Sequence, residues 1–235
     1  MGNLRSKANL FGELQGLSGD LAVAVGAAVG AVAVFVWLAA SVMSGRAGAF
    51  DTAVRAQIHA ASFPALTYTM RGFTMLGEAG FLVPLGALIV WRLVAAGRRP
   101  SAAWFAAAGL GAELLDQTLK FWFRRPRPAA FFGVAPANYS FPSGHALVSF
   151  CFYVALAEVF IDLVAQPVEE PSWPRGRRLA ARAVAVLLSG WIGLSRIYLG
   201  VHYPTDVLAG YAAAVAWLAV LRALHKVRPS LTVMA

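Results

Sequence analysis

The sequence is poor in charge. Of its 235 residues only 13% are Asp, Glu, Lys or Arg, against 59% hydrophobic, where a soluble domain carries about 25% charged and about 45–50% apolar residues. So few charges cannot cover a water-facing surface, which excludes an ordinary soluble protein. Cysteine is almost missing. Cys151 stands alone, so no internal disulfide can form, and no zinc-ligand spacing occurs. Cys151 lies in an apolar run and reads as a small packing residue. Acidic residues are also scarce, 11 against 20 Lys and Arg, for a net charge of +9. The arginines cluster at the ends of apolar runs rather than along a soluble face. Membrane topology and anionic lipid account for them, and no nucleic-acid partner is expected.

What the chain has instead is long apolar runs. Six are near the roughly 20 residues a helix needs to cross a bilayer: 21–43, 75–96, 101–123, 143–164, 179–199 and 204–224. They predict an all-α integral membrane protein with a six-transmembrane-helix bundle over 21–228. A tail, 1–20, precedes the bundle and a tail, 229–235, follows it. The first run exceeds the roughly 7–15 residues of a cleavable signal core, so it reads as a retained signal anchor. Between the first two spans, Phe50, Val54, Ile58, Phe63 and Leu66 recur at roughly helical spacing. They predict short amphipathic helices at the membrane surface. Pro84 is expected to kink the second span.

Six spans put both termini on one side, taken as the cytoplasm. Its segments then carry Arg5 and Lys7, Arg98 and Arg99, Arg175, Arg177, Arg178 and Arg182, and Arg222, Lys226 and Arg228. All are basic, as the positive-inside rule requires. The exception is outside: Arg124, Arg125 and Arg127 follow Lys120 in a loop where positive charge opposes insertion. Such a cluster is expected to be kept for chemistry.

Residues 139–145 read Tyr-Ser-Phe-Pro-Ser-Gly-His and lead into the fourth span. Pro142 suits a helix start, Ser143 an N-cap, and Gly144 a close backbone approach. A helix N-terminus favours an anion, and His145 sets beside it a group that titrates near neutral pH. The same end of the bundle receives Lys120, Arg127, Arg196, His202 and Asp206. Ionisable groups at membrane depth are costly unless they pair or line a polar cavity. Three cations suit a multiply charged phosphate, with Lys120 as a point charge and Arg127 and Arg196 as forked donors. Ser143 and Gly144 add N–H dipoles and a hydroxyl. Of the two histidines, His202 reads as the nucleophile because Asp206, four residues on, can hold its ring. His145 then reads as the acid that protonates the leaving oxygen. Asp116, four residues before Lys120, reads as its structural partner. Arg124 and Arg125 read as solvated or headgroup-contacting, Glu158 and Asp162 as interfacial. Asn138-Tyr139-Ser140 matches a glycosylation acceptor by chance, and His59 and His225 receive no role.

These residues resemble the type 2 phosphatidic acid phosphatase superfamily of membrane lipid phosphatases. Lys120-(six residues)-Arg127-Pro128, Pro142-Ser143-Gly144-His145 and Ser195-Arg196-(five residues)-His202-(three residues)-Asp206 match the three parts of its motif in order and spacing. The resemblance covers about residues 50–223. It implies a phosphohistidine on His202 oriented by Asp206, a proton from His145, and phosphate held by Lys120, Arg127, Ser143, Gly144 and Arg196. It implies no metal and no cofactor. It further implies a six-helix bundle with the site on the outer face and a lipid phosphate entering from the bilayer; the alanine-rich sequence and short loops point to a bacterial inner membrane. Undecaprenyl diphosphate, phosphatidylglycerol phosphate and phosphatidic acid are the implied substrates. A lipid A phosphatase or a lipid-to-lipid phosphotransferase is the alternative within the family, and a non-catalytic, transporter-like member the alternative outside enzymes.

Overall fold

The structure is a computed structural model that describes residues 2–134, 136–164 and 175–232; of these, the side chains of 2–18, 20 and 226–232 are outside the description. Among the described residues there are eight helices and no strand. They are α1 (Gly2–Met43), α2 (Gly48–Ala60), α3 (Pro64–Met75), α4 (Ala79–Ala95), α5 (Arg99–Phe123), α6 (Gly144–Val164), α7 (Arg175–Tyr198) and α8 (Pro204–Thr232).

By length and composition, four helical stretches can cross a membrane: Leu21–Met43, Gly144–Leu163, Arg175–Tyr198 and Pro204–His225. A fifth arises if α3 and α4 count as one span bent by 42° at residues 76–78. This revises the expected boundaries. Residues 64–75, read as a surface helix, run into the apolar α4, whose own 17 residues are short for a bilayer. Helix α5 does not meet the same measure. Glu113, Asp116, Gln117 and Lys120 lower its hydropathy, although its bounds lie close to the expected 101–123. The tail 1–20 is helical from Gly2 and continuous with the first span. Arg175, Arg177 and Arg178 lie on α7 rather than in a loop. Glu169 and Glu170, in the loop 165–178 expected between the fourth and fifth spans, fall outside the described residues.

Helix α6 is the centre. It packs against α5, α7 and α8, while α1 lies along α8. Leu147, Cys151 and Ala155 of α6 are fully buried against Ala108 and Ala112 of α5, Ile192 of α7 and Ala214 of α8. Cys151 is thus a packing residue. The outside is apolar: Trp37 is 65% exposed, Leu114 70% and Trp122 80%, while Asp51, Asp206 and His202 are at most 1% exposed. Apolar outside and charged inside is the arrangement a bilayer solvent demands.

Candidate active site

The C-terminal end of α5, the N-terminal end of α6, the C-terminal end of α7 and the N-terminal end of α8 meet at one end of the bundle. Tight local structure sets each group. Helix α7 stops at Tyr198, and Gly200, at φ +80°, reverses the chain with its N–H on Ile197 O (3.0 Å). The left-handed φ favours glycine, and a Cβ there would meet the Phe131 nitrogen at 2.5 Å. The N–H groups of Val201 and His202 both donate to Arg196 O (3.1 and 3.3 Å), which fixes His202 beside the last turn of α7. Pro204 then opens α8 at a position that needs no donor. Asp206 Oδ2 reaches back to accept the Tyr203 N–H (2.9 Å), while the Asp206 N–H donates to Tyr203 O (3.0 Å), a reciprocal helix cap.

The two ring nitrogens of His202 face different partners. Arg127 Nη1 donates to Nε2 (2.8 Å), and Nδ1 stands 3.4 Å from Asp206 Oδ2. A guanidinium only donates, so Nε2 presents its lone pair and the ring proton sits on Nδ1, toward the carboxylate. Burial first, then the positive fields of Arg127, Arg196 and Lys120, push the His202 pKa well below the ordinary histidine value. The ring is therefore neutral at pH 7. Arg127 itself is spread across the loop: it donates to Asn138 O (2.9 Å), Asn138 Oδ1 (2.6 Å) and Val201 O (2.9 Å). Burial lowers its pKa too.

Lys120 is 5% exposed and donates to Asp116 Oδ2. Gly144 sits directly against this pair, since a Cβ there would meet Asp116 Oδ2 at 2.6 Å and Lys120 Nζ at 2.8 Å. Arg196 donates through Nη1 to Thr74 Oγ1 of α3. Ser143 differs from its sequence reading in two respects: its hydroxyl makes no N-cap hydrogen bond, and its N–H is taken. Its N–H is not free for an anion, because it donates to Asp206 O (2.9 Å). Its carbonyl starts α6 by accepting from Leu147 N–H (3.0 Å). Its hydroxyl is buried without a hydrogen-bond partner, as are His145 Nε2, Arg196 Nε and Asp116 Oδ1. Buried polar groups are otherwise paired; of these atoms the Ser143 hydroxyl and Arg196 Nε are donors left open beside Lys120 and Arg127, whereas Asp116 Oδ1 is an open acceptor. Among the described residues there is no group of three His, Cys, Asp or Glu placed to hold a metal ion.

Arg124 is exposed, with its guanidinium over the Phe121 ring at 4.5 Å. Arg125 is not solvated, contrary to the sequence reading. Its side chain is 13% exposed and donates to Asp206 Oδ1 (2.6 Å), Thr205 Oγ1 (2.9 Å) and Asp51 Oδ2 (2.7 Å). Sequence reasoning missed Asp51, Thr74, Asn138 and Thr205. Asp51 left one trace: Asp51, Arg55 and His59 recur every four residues and form a polar stripe on α2. That stripe faces the site's loops. Arg55 donates to Ala129 O (2.8 Å) and Gly200 O (3.1 Å), and His59 stacks on Phe131 at 4.0 Å between centroids.

Fold and site together define a helical membrane protein in which two histidines and three cations gather at one end of the bundle. The PAP2 superfamily model matches residues 101–229. Phosphatidylglycerophosphatase B of Bacillus subtilis is 32% identical over 186 residues, 76% of this chain and 84% of that protein. A lipid A 1-phosphatase of Rhizobium johnstonii is 36% identical over 121 residues, 47% of this chain and 42% of that protein. The crystal structure of a transmembrane PAP2-type phosphatidylglycerolphosphate phosphatase from Bacillus subtilis matches with a TM-score of 0.74 at 26% identity, over 84% of this chain and 95% of that one. The chain belongs to the PAP2 superfamily.

Proposed function

We propose that the protein is a membrane lipid phosphatase that removes the terminal phosphate of a lipid phosphate or diphosphate through a phosphohistidine on His202. The observation that carries this reading is the orientation of His202, with its Nε2 lone pair toward the cationic pocket and Nδ1–H toward Asp206. Phosphate would enter the pocket and take Arg127's donor from Nε2. Lys120, Arg127 and Arg196, with the Ser143 hydroxyl and the close-lying Gly144, hold the equatorial oxygens, where charge stabilisation is the largest catalytic term. The Nε2 lone pair attacks phosphorus, the bond from phosphorus to the lipid oxygen breaks, and His145 gives that oxygen its proton. Water then attacks the phosphohistidine, returning a proton to His145. The P–N bond breaks and inorganic phosphate leaves.

The names of relatives support phosphatidylglycerol phosphate, lipid A and undecaprenyl diphosphate as substrate types; phosphatidic acid shares the same chemistry. The reaction needs no metal or cofactor in this reading, because three side-chain cations, the buried Lys120 and Arg196 and the half-buried Arg127, supply the charge. The molecule has six spans, α5 being the one whose charges serve the site. It lies in a bacterial inner membrane with both termini cytoplasmic and the pocket on the outer face, where lipid substrates enter sideways with their tails in the bilayer.

The test is phosphate release in detergent across a panel of these lipids. Activity is expected to survive EDTA and to fall by at least about 10³-fold in His202→Ala, as for loss of a covalent nucleophile. A fully active His202→Ala enzyme overturns the phosphohistidine. EDTA loss that magnesium restores overturns the metal-free reading. A phosphorylated lipid acceptor in place of free phosphate marks a phosphotransferase.

A further inference from the structure

Beyond the motif residues, one buried network has no assigned work. Asp51 on α2 is fully buried, far in sequence from every other site group. It accepts from the Thr205 N–H (3.0 Å) through Oδ1, and from the Thr205 hydroxyl (2.7 Å) and Arg125 Nη2 (2.7 Å) through Oδ2. It thereby caps the first turn of α8 from another helix, satisfying a donor that helix starts leave open. Arg125 forks from Asp51 to Asp206 Oδ1 (2.6 Å). Its guanidinium lies over the Tyr203 ring at 3.9 Å, and Arg55 lies near the same ring at 5.3 Å. Every polar atom of the Asp51 carboxylate is used inside this network.

We propose that Asp51 and Arg125 are positioning residues that act on His202 through Asp206. The inference rests on His202 being the nucleophile. Asp206 divides its oxygens: Oδ1 goes to Arg125, and Oδ2 goes to His202 Nδ1 and the Tyr203 N–H. Arg125 therefore decides which oxygen faces the ring and holds it there. Charge adds a second effect. Asp51, Arg125 and Asp206 together carry one net negative charge in a water-poor setting. When Nε2 bonds to phosphorus and keeps Nδ1–H, the ring gains one positive charge. Arg55, close enough to act on both carboxylates, offsets part of the network's negative charge; what Asp51 adds is a second carboxylate for Arg125, so that Arg125 does not neutralise Asp206 alone. Without Asp51, Arg125 would also draw more strongly on Asp206, leaving the carboxylate a poorer partner for the ring. A buried carboxylate held only to neutralise Arg125 would bias nothing, so the two roles are separable by kinetics.

The experiment is a double-mutant cycle in the full-length enzyme, using Asp51→Asn, Asp206→Asn and the pair. Orienting partners of an active imidazole typically cost about 10–100-fold on removal. Asp51→Asn is expected to lower kcat by that factor with KM within about twofold, and to add less than about twofold on the Asp206→Asn background. Arg125→Lys, which keeps the charge but loses the fork, enters the same cycle and is expected to behave alike should Asp51→Asn fail to fold. Wild-type kcat in the single variant, a change in KM alone, or the same loss repeated on the Asp206→Asn background overturns the proposal. Trapping phosphoenzyme by acid-free quench and 31P NMR separates the two layers. Absence of phosphohistidine in the wild type overturns the catalytic reading. Its presence with additive losses overturns only the role of Asp51 and Arg125.

Discussion

At the scale of single residues, the informative contrast is between His202 and Arg125. That His202, Asp206, His145, Lys120, Arg127 and Arg196 gather at one end of the bundle could be read from the chain, because helix ends fix short-range geometry; their roles remain the proposal made above. The place of Arg125 could not be read. It is one of three arginines in a Pro-rich loop, and loop composition does not say which guanidinium turns inward. Its two carboxylate partners lie 74 residues before it and 81 after it. The buried state of His202 has a consequence for acid stability. Its folded pKa is lowered, so below about pH 6.5 the unfolded chain takes up a proton there that the folded chain refuses. Stability from this group is present above about pH 6.5 and is lost as pH falls below it. The apparent Tm of the wild type in detergent is expected to drop more steeply from pH 7.5 to 5 than that of His202→Gln. Parallel curves would show that His202 is not buried in its neutral form.

At the scale of elements, the helices of the bundle were legible because apolar runs of membrane length have few alternatives. The short helices were legible less well. Phe50, Val54 and Ile58 suggested an amphipathic α2, but the stripe that matters is Asp51, Arg55 and His59, one residue along. An amphipathic helix at a membrane can turn its polar face to water or to protein, and periodicity is the same in both cases. A break near residue 75 was legible, but not that α3 and α4 can count as one span bent by 42° at residues 76–78, because hydropathy does not report the angle between helices. The α5–α6 contact supplies a test at this scale. Gly144 begins α6 against the Asp116–Lys120 pair, and a Cβ would lie 2.6 and 2.8 Å from it. Both side-chain ends are locked to each other and buried, so neither can yield freely. Gly144→Ala is expected to displace Lys120 and lower kcat by about 10²-fold, the cost of a misplacement near 1 Å, while the helices still form. Activity with Tm and circular dichroism checks this, and an unimpaired Gly144→Ala would mean that Lys120 does not work from its observed position.

At the scale of the whole molecule, α5 decides the topology. Its length is ample for a bilayer, yet Glu113, Asp116 and Lys120 keep it below the apolarity of the other spans. Two physical facts argue that it crosses. Asp116 and Lys120 are buried and paired, so their charge never meets lipid. The face that does point outward carries Leu110, Leu114, Phe121 and Trp122, all at least 66% exposed. Charge on the inner face of a span is tolerated when it serves a polar cavity. A crossing α5 separates its two ends by the membrane, and in the proposed orientation Arg99 at its start would face the cytoplasm and Val134, 94% exposed in the loop before α6, the outer side. The single native cysteine is buried and leaves labelling experiments clean. In intact cells an impermeant maleimide is expected to label Val134→Cys at once and Arg99→Cys only after permeabilisation. Labelling of both from the same side would remove α5 from the bilayer and leave five spans. The pocket would then have to be reached by another route, because Lys120 and the loop carrying Arg125 and Arg127 both depend on the end at which α5 emerges.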